Sequence, residues 1–580
     1  MASSVTDFET AVTAVASSRT GVATAVSAGA SSLAAVATAV RGVLISWTGV
    51  AAEVSGIAAE MGGPATIPGA RSVRAVRSLE DLEVTIGQLG EDGGRGAEPG
   101  RSRFAVVVTL AFLAVAGLGV LRHEMWRDEM QAWMFAADSA SPAEMLHAMR
   151  YEGHPPLWHL LLFAVSRGTR HPEAMQLLNL LFAATAVWLF ARWAPFPRRV
   201  RALFAFGYFP LYEYGVISRN YAIGLLLLFA FCALRTARPR SRQSSRLPLA
   251  ALLAALALTN AYAWLLSLIL FAVLARDARR DPAARSWKTA LGALLFLAAA
   301  GAAALQMIPA ADGYYGVHLK PRWNVDVTVA SLATVAHADL PLPELGNPEA
   351  WNTSLLWRLG YVPMALLGLA LIAAVAVLLR RAPAALFVYL AGTAAILAFT
   401  CFEYFGSLRH HGHHFLLLVA CLWLAGPDRR RDLLLTALLL VHLAAAAVLY
   451  PLDLALPFSE SRAAADLLRS NGLAAAPIAA TQDHLVSPVA GYLGRPLYYL
   501  DSRSPGSYVL WNRARREHLP PAELCLRLRE WLAKNGGATV LLSTQPLSCG
   551  PDLEMLPLAD LRQSMVPDER YSVLVVRAAR

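Results

Sequence analysis

The sequence is short of charge. Asp, Glu, Lys and Arg together make up 16% of its 580 residues, against roughly a quarter in soluble domains, which excludes an ordinary water-soluble globular protein. Cysteine is also scarce, five in all, and none falls at metal-ligand spacing. No basic segment leads the N-terminus, so a signal peptide fits poorly. No internal repeat is visible. What the chain has in quantity is apolar surface: 56% of residues are hydrophobic and the mean hydropathy is +0.45. It reads as a polytopic α-helical membrane protein. The formal charge of +10 does not imply a nucleic-acid partner, because the arginines fall in bursts between apolar runs, the pattern of the positive-inside rule.

Three regions follow from composition. Residues 1–100 are rich in Ala, Val, Ser, Thr and Gly and end in "GQLGEDGGRGAEPGR". They read equally as a weak helix, an irregular tail or an upstream extension, and carry no assigned function. Residues 101–455 alternate apolar runs with polar loops. A bilayer core needs about 20 apolar residues per helix, which places spans near 104–121, 174–192, 200–216, 221–235, 247–259, 262–275, 288–308, 355–379, 383–403, 413–426 and 432–450, about eleven in all. With "RSR" before the first span on the cytoplasmic side, every later burst, such as "RTARPRSRQSSR" and "PDRRRD", lands there too. "PPLWHLLLFAVS" is too short to span and would invert those bursts, so it reads as an interfacial or half-inserted helix entered through Pro155 and Pro156. Residues 456–580 change period and predict an extracytoplasmic α/β domain: helices in "SESRAAADLLRSNG" and "PPAELCLRLREWLAKNGG", strands in "APIAAT", "ATVLLS" and "YSVLVVR". Cys525 and Cys549 lie in this tail, where a disulfide can form if it is extracytoplasmic. Cys232, Cys401 and Cys421 read as core residues.

The segments assigned to the outer face carry the chemistry. "MWRDEMQAWMFAAD" opens with Asp128 and Glu129, and Ser141 to Glu144 fits a capping box, so two short amphipathic helices are expected on the membrane surface. "YEGHPPL" adds His154. "ISRNYAIG" places Arg219 and Tyr221 at a helix end, with Glu213 two turns earlier. "LTNAYAW" places Asn260 and Tyr262 at a tight turn. "YYGVHLKPRWN" offers His318, Lys320 and Arg322, and "FGSLRHHGHHF" offers Arg409, His410, His411, His413 and His414. One such residue alone is more often a snorkelling anchor, and the acidic doublet alone is as well read as a helix cap. Cations at four separate boundaries opposite an acidic loop describe a site, because ionisable groups at membrane depth face polar cavities and arginine matches phosphate oxygens. The histidine cluster admits a transition-metal reading, but Gly412 is expected to interrupt the helix and no carboxylate has matching spacing.

The acidic doublet after the first span, "EGHPPLWHLLL", "SRNYA" and the final α/β domain together resemble the GT-C membrane glycosyltransferases. The branch they resemble holds the bacterial protein O-mannosyltransferases and lipid A aminoarabinose transferases. The resemblance covers about residues 101–455. It implies a bacterial inner-membrane enzyme with a cytoplasmic N-terminus, using a sugar on a polyprenyl phosphate and passing it, with inversion, to a lipid, glycan or protein acceptor on the extracytoplasmic face. It implies Asp128 as the group activating the acceptor with Glu129 beside it, and Arg219, with Arg409 or Lys320, on the leaving phosphate. His154 would orient the loop or touch the acceptor. Many members need no metal, and some use a divalent ion at the acidic loop. Asn220 within "SRNYA" and the histidine-rich last boundary depart from the pattern. Two other classes compete: a transporter of lipid-linked sugars, which should show polar residues at span midpoints and broken paired helices, and a non-catalytic lipid-binding relative.

Overall fold

The computed structural model describes residues 99–237, 246–314, 324–347, 349–513, 515–516 and 519–579. The Ala/Val-rich region up to residue 98, and with it His318, Lys320 and Arg322, lies outside the described residues. Among the described residues the chain is mostly helical, with seven helices long and apolar enough to cross a membrane and a C-terminal sheet domain. The seven begin with Arg101–Arg122 and Glu173–Trp193 and end with Pro383–Phe402 and Arg429–Ala455. Shorter apolar helices, Tyr221–Ala237 and Leu247–Ala257, pack among them.

Two parts of the expected span list change. The run at 200–216 is not one helix: Arg198–Ala205 ends, and a π-helix, Tyr208–Val216, follows. Pro210 lacks the N–H that a regular α-helix uses, and π-turns are seldom sustained in helices except near functional sites. The stretch 309–354, expected as a loop, contains a helix, Val325–Asp339, buried in its C-terminal half and capped by Asn324 Oδ1 accepting from the Asp326 N–H at 2.7 Å. It packs against Tyr361–Leu379 so closely that a Cβ on Gly368 would lie 2.5 Å from the Leu332 carbonyl oxygen. It ends beside His442, midway along Arg429–Ala455. The chain then turns back, and Trp351 packs edge-on against Trp126. Non-helical backbone at membrane depth is tolerated where protein surrounds it, as here.

The arginine bursts gather at one end of the helical body. Arg246 pairs with Asp281 at 3.0 Å, Arg235 with Asp277, and Arg201 donates to the Ala191 carbonyl. Arg431 closes a helix end by donating to the carbonyls of Ala425 and Gly426 at 3.0 and 3.1 Å. The sheet domain sits at the other end.

That domain has strand order β3-β2-β1-β4-β6-β5, with β1 Ile478–Ala480, β2 Leu497–Tyr499, β3 Ser504–Gly506, β4 Ala538–Ser543, β5 Leu553–Leu561 and β6 Tyr571–Ala578. β1 runs parallel to β2 and β4, and the remaining pairs are antiparallel. Because strand side chains alternate, Ala479 and Leu541 face the helix Pro521–Lys534, while Ile478, Ala480 and Leu542 face the helices Ser461–Ser470 and Asp483–Leu493. Cys525 and Cys549 are disulfide-bonded on the first of these faces.

The first long loop does form two short helices, Arg127–Asp138 and Pro142–Met149. Ser141 Oγ accepts from the Glu144 N–H at 3.2 Å, and the Glu144 carboxylate accepts from the Ala140 N–H at 2.8 Å. The helix Arg127–Asp138 is not an open surface helix as expected. Residues 129–137 are all buried, wedged between Leu157–Ser166 and the sheet-domain helix Asp483–Leu493. Met130 and Met134 lie against Gly491, where a Cβ would meet Met130 Sδ at 2.7 Å. Loop and tail thus share one apolar core.

Candidate functional site

The site lies where the acidic loop, the end of the π-helix and the start of the helix Leu408–Ala425 converge. Asp128 is in the first turn of Arg127–Asp138. Its Oδ2 accepts from Arg409 Nη2 at 2.6 Å, with Arg219 Nη1 at 3.7 Å, and Arg219 also donates to the Asp128 main-chain carbonyl. The Arg409 guanidinium lies 5.1 Å from the Trp126 ring centroid. Burial alone would raise the Asp128 carboxyl, but Arg409, then Arg219 and Arg127, outweigh it and hold it below the usual carboxylate range.

Glu129, expected beside Asp128 in the chemistry, points the other way. Successive helix residues face different directions, and its fully buried carboxylate accepts from the Ser218 N–H at 2.6 Å, His123 Nε2 at 3.0 Å and the Trp126 N–H at 3.3 Å. His123 Nδ1 is 2.9 Å from Asp453. Burial would lower the His123 pKa, but Asp453 and Glu129 raise it to about 10. Asn179 donates to the Tyr214 and Gly215 carbonyls at 3.0 and 3.3 Å. Glu129 and Asn179 together fix the turn that presents Arg219. Glu129 is not among the residues that line the recess beside Asp128.

Beside Asp128 is a narrow recess of about 10 Å³, room for about one water molecule. Asp128, Arg219 and Asn220 form one side, and Glu152, His154, Trp158 and His159 the other. Among the described residues, the Trp158 indole N–H, both ring nitrogens of His159 and the Asn220 amide oxygen have no hydrogen-bond partner. Buried polar groups are usually paired, and these four atoms of the recess lining are not. Arg219 and burial hold His154 neutral, its pKa lowered to about 4, burial being the larger cause.

Glu152 was not among the residues picked out from sequence, though it stands two places before His154 in the quoted motif. Burial pushes its carboxyl up to about 7, against the opposing hydrogen bond from Gln131. Gln131 Nε2 donates to Glu152 Oε1 and to the Val509 carbonyl, each at 2.7 Å, and Gln131 Oε1 accepts from the Val509 N–H at 3.0 Å. The Trp511 indole donates to the same carboxyl. A tail-domain loop therefore holds one of the residues that line the recess.

The remaining sequence candidates are near but not in the recess. Asn260 is an N-cap, its Oδ1 accepting from the Ala263 N–H at 2.9 Å. Tyr221, Tyr262, His410 and His413 form a buried aromatic layer, with Tyr262 stacked on His413 at 4.8 Å between centroids. Tyr221 and Tyr262 are about 3% exposed. His411 Nδ1 lies 3.1 Å from His337 Nδ1, and its Nε2 lies 2.9 Å from the Phe405 carbonyl. The carbonyl can only accept, so His411 carries its proton on Nε2 and His337 donates to it. Gly412 does not interrupt the helix. It stands inside Leu408–Ala425, where a Cβ would be 2.4 Å from the Tyr214 hydroxyl and 2.5 Å from the Phe209 ring. Among the described residues no group of three or more His, Cys, Asp or Glu is placed to hold a metal ion.

The chain matches no model of a known protein family, and no curated protein matches it.

Proposed function

We propose that the protein transfers a sugar from a polyprenyl-phosphate carrier to an acceptor hydroxyl on the extracytoplasmic face of a membrane, with inversion. The observation that carries this reading is the meeting of Arg219 and Arg409, from segments 190 positions apart, on the Asp128 carboxylate at the lip of a recess. Two guanidinium groups form an anion site that suits a phosphate monoester or diester. As the glycosidic bond breaks, charge grows on the phosphate oxygen, and preorganised cations there stabilise the transition state more than the ground state. Asp128 is the carboxylate that meets the acceptor, and Trp158, His159 and Asn220 supply the unmatched polar atoms and apolar face that a sugar ring needs.

The sidedness rests on two features. The arginine bursts share one end of the helical body, the cytoplasmic end by the positive-inside rule. The Cys525–Cys549 disulfide is at the other, and such bonds persist in oxidising compartments. By its resemblance to the GT-C branch the protein belongs in a bacterial inner membrane.

A transporter of lipid-linked sugars is the second reading. It is favoured by His442 and Asp339 buried midway along the helical body, and by the broken helix at 205–208.

One experiment separates them. Deletion in the native host, followed by mass spectrometry of surface glycans, should show one sugar missing. Complementation with Asp128→Asn at wild-type abundance should leave it missing, with transfer reduced about 10²- to 10³-fold. Full restoration by Asp128→Asn would remove Asp128 from the chemistry and favour transport.

A further inference from the structure

Asp128 is poorly suited to be the final resting place of the acceptor proton. Its Oδ2 is already engaged by Arg409 at 2.6 Å with Arg219 at 3.7 Å, and a carboxylate between two cations is a weak base. The second carboxyl in the same recess is different. The Glu152 carboxyl accepts from Gln131 at Oε1 and also from the Trp511 indole, and His154 Nε2 lies 3.8 Å from Oε2, beyond hydrogen-bond range. No guanidinium pairs with it among the described ion pairs. Its orientation is fixed, because Gln131 is itself held by two hydrogen bonds to the Val509 peptide.

We propose that Glu152 is the general base, accepting the proton of the acceptor hydroxyl, while Asp128 orients that hydroxyl and holds the two arginines in place. This rests on the transferase reading above and moves the proton within it. The acceptor oxygen bonds to the anomeric carbon as the carbon–phosphate-oxygen bond breaks. The bonding pair leaves with the phosphate, between Arg219 and Arg409, and the hydroxyl proton passes to the Glu152 carboxylate. The proton then leaves to solvent past His154, which is 30% exposed. The charged and titratable groups facing Glu152 are Asp128, Arg219 and His154, with His159 behind. Two carboxyls in one site whose surroundings drive their basicities apart are the usual basis for dividing such roles, and Glu152, raised to about 7, is the one matched to neutral pH.

The test uses the full chain in membranes of the native host, which supply the donor lipids and acceptor, with rates followed from pH 5.5 to 8.5. Wild-type transfer should rise about tenfold per unit below roughly pH 7 and level off above it. Glu152→Gln should lower the plateau about 10²-fold or more and remove the inflection, with binding of farnesyl phosphate to the purified protein unchanged. Glu152→Asp should recover part of the rate with the inflection moved to lower pH. Transfer by Glu152→Gln within threefold of wild type, or an unchanged inflection in either variant, overturns the assignment of Glu152 while leaving the transferase reading intact. Absence of both wild-type transfer and farnesyl phosphate binding overturns both together. If Glu152→Gln fails to accumulate, Glu152→Asp alone decides, by whether its inflection moves.

Discussion

The two ends of the helical body are both crowded with charge, and they handle it differently. At the arginine-rich end, partners are close in sequence: Arg235 meets Asp277, Arg246 meets Asp281, and Arg431 caps the helix ending at Ala425. At the end bearing the sheet domain, ion pairs join distant segments: Asp128 with Arg409, His123 with Asp453, Arg127 with Glu569. His123, Glu129 and Glu569 are fully buried. Pairs there that reach the surface, such as Arg276 with Asp277, are worth little individually. Buried pairs between distant segments cost desolvation and fix geometry, which is what the proposed site requires.

That contrast predicts a ranking of effects. Largest is His123→Ala, which leaves Glu129 and Asp453 buried without their cation and should cost about 3–5 kcal/mol, read as a lowered thermal midpoint in detergent. The sign with pH follows from His123 being raised from 6.5 to about 10 in the folded protein. Its contribution is fully present below about pH 6.5 and is lost as pH rises through about 10. A His123→Gln variant should therefore show a flatter midpoint between pH 8 and 10 than wild type. An equal slope in both would break the claim that this triad holds the site end together.

Next is Gly491→Leu, which overpacks the seam where Met130 and Met134 meet the sheet domain. A cost of about 1–3 kcal/mol is expected, with faster proteolysis of the tail. Smallest is Arg276→Ala at the opposite end. Arg276 is 43% exposed and pairs with its neighbour Asp277 at 3.2 Å, so less than about 1 kcal/mol should be lost. A loss as large as that of His123→Ala would erase the distinction between the ends.

The same contrast explains what the sequence made legible. Arg219, Arg409 and Asp128 stood at boundaries of apolar runs, so their depth could be read from position, and they do meet. Two tail helices, Ser461–Ser470 and Pro521–Lys534, and three of the strands were visible from their period, whereas the helix Asp483–Leu493 was not. The cysteines predicted one permissible bond, and Cys525–Cys549 forms it. Missing were residues whose meaning depends on partners hundreds of positions away: Glu152, held by Trp511 as well as by the nearer Gln131, and His123, held by Asp453. Glu129 looked equivalent to Asp128 because a doublet shows no direction until the helix start is known. The helix Val325–Asp339 was hidden by small and polar residues, although Asn324 as a cap and Pro341 beyond its end were usable signals. Gly412 looked like a breaker because propensity cannot foresee a tyrosine and a phenylalanine pressing on one point of a helix.

One contact has a wider consequence. Gln131 grips the peptide unit of Val509 and ignores its side chain. A tether of that kind is blind to mutation at the tethered position, so the tail loop is free to drift in sequence without unseating the carboxylates beneath it. Under the proposed transfer reaction, a lineage can retune which molecules it accepts at this rim while keeping the chemistry unchanged.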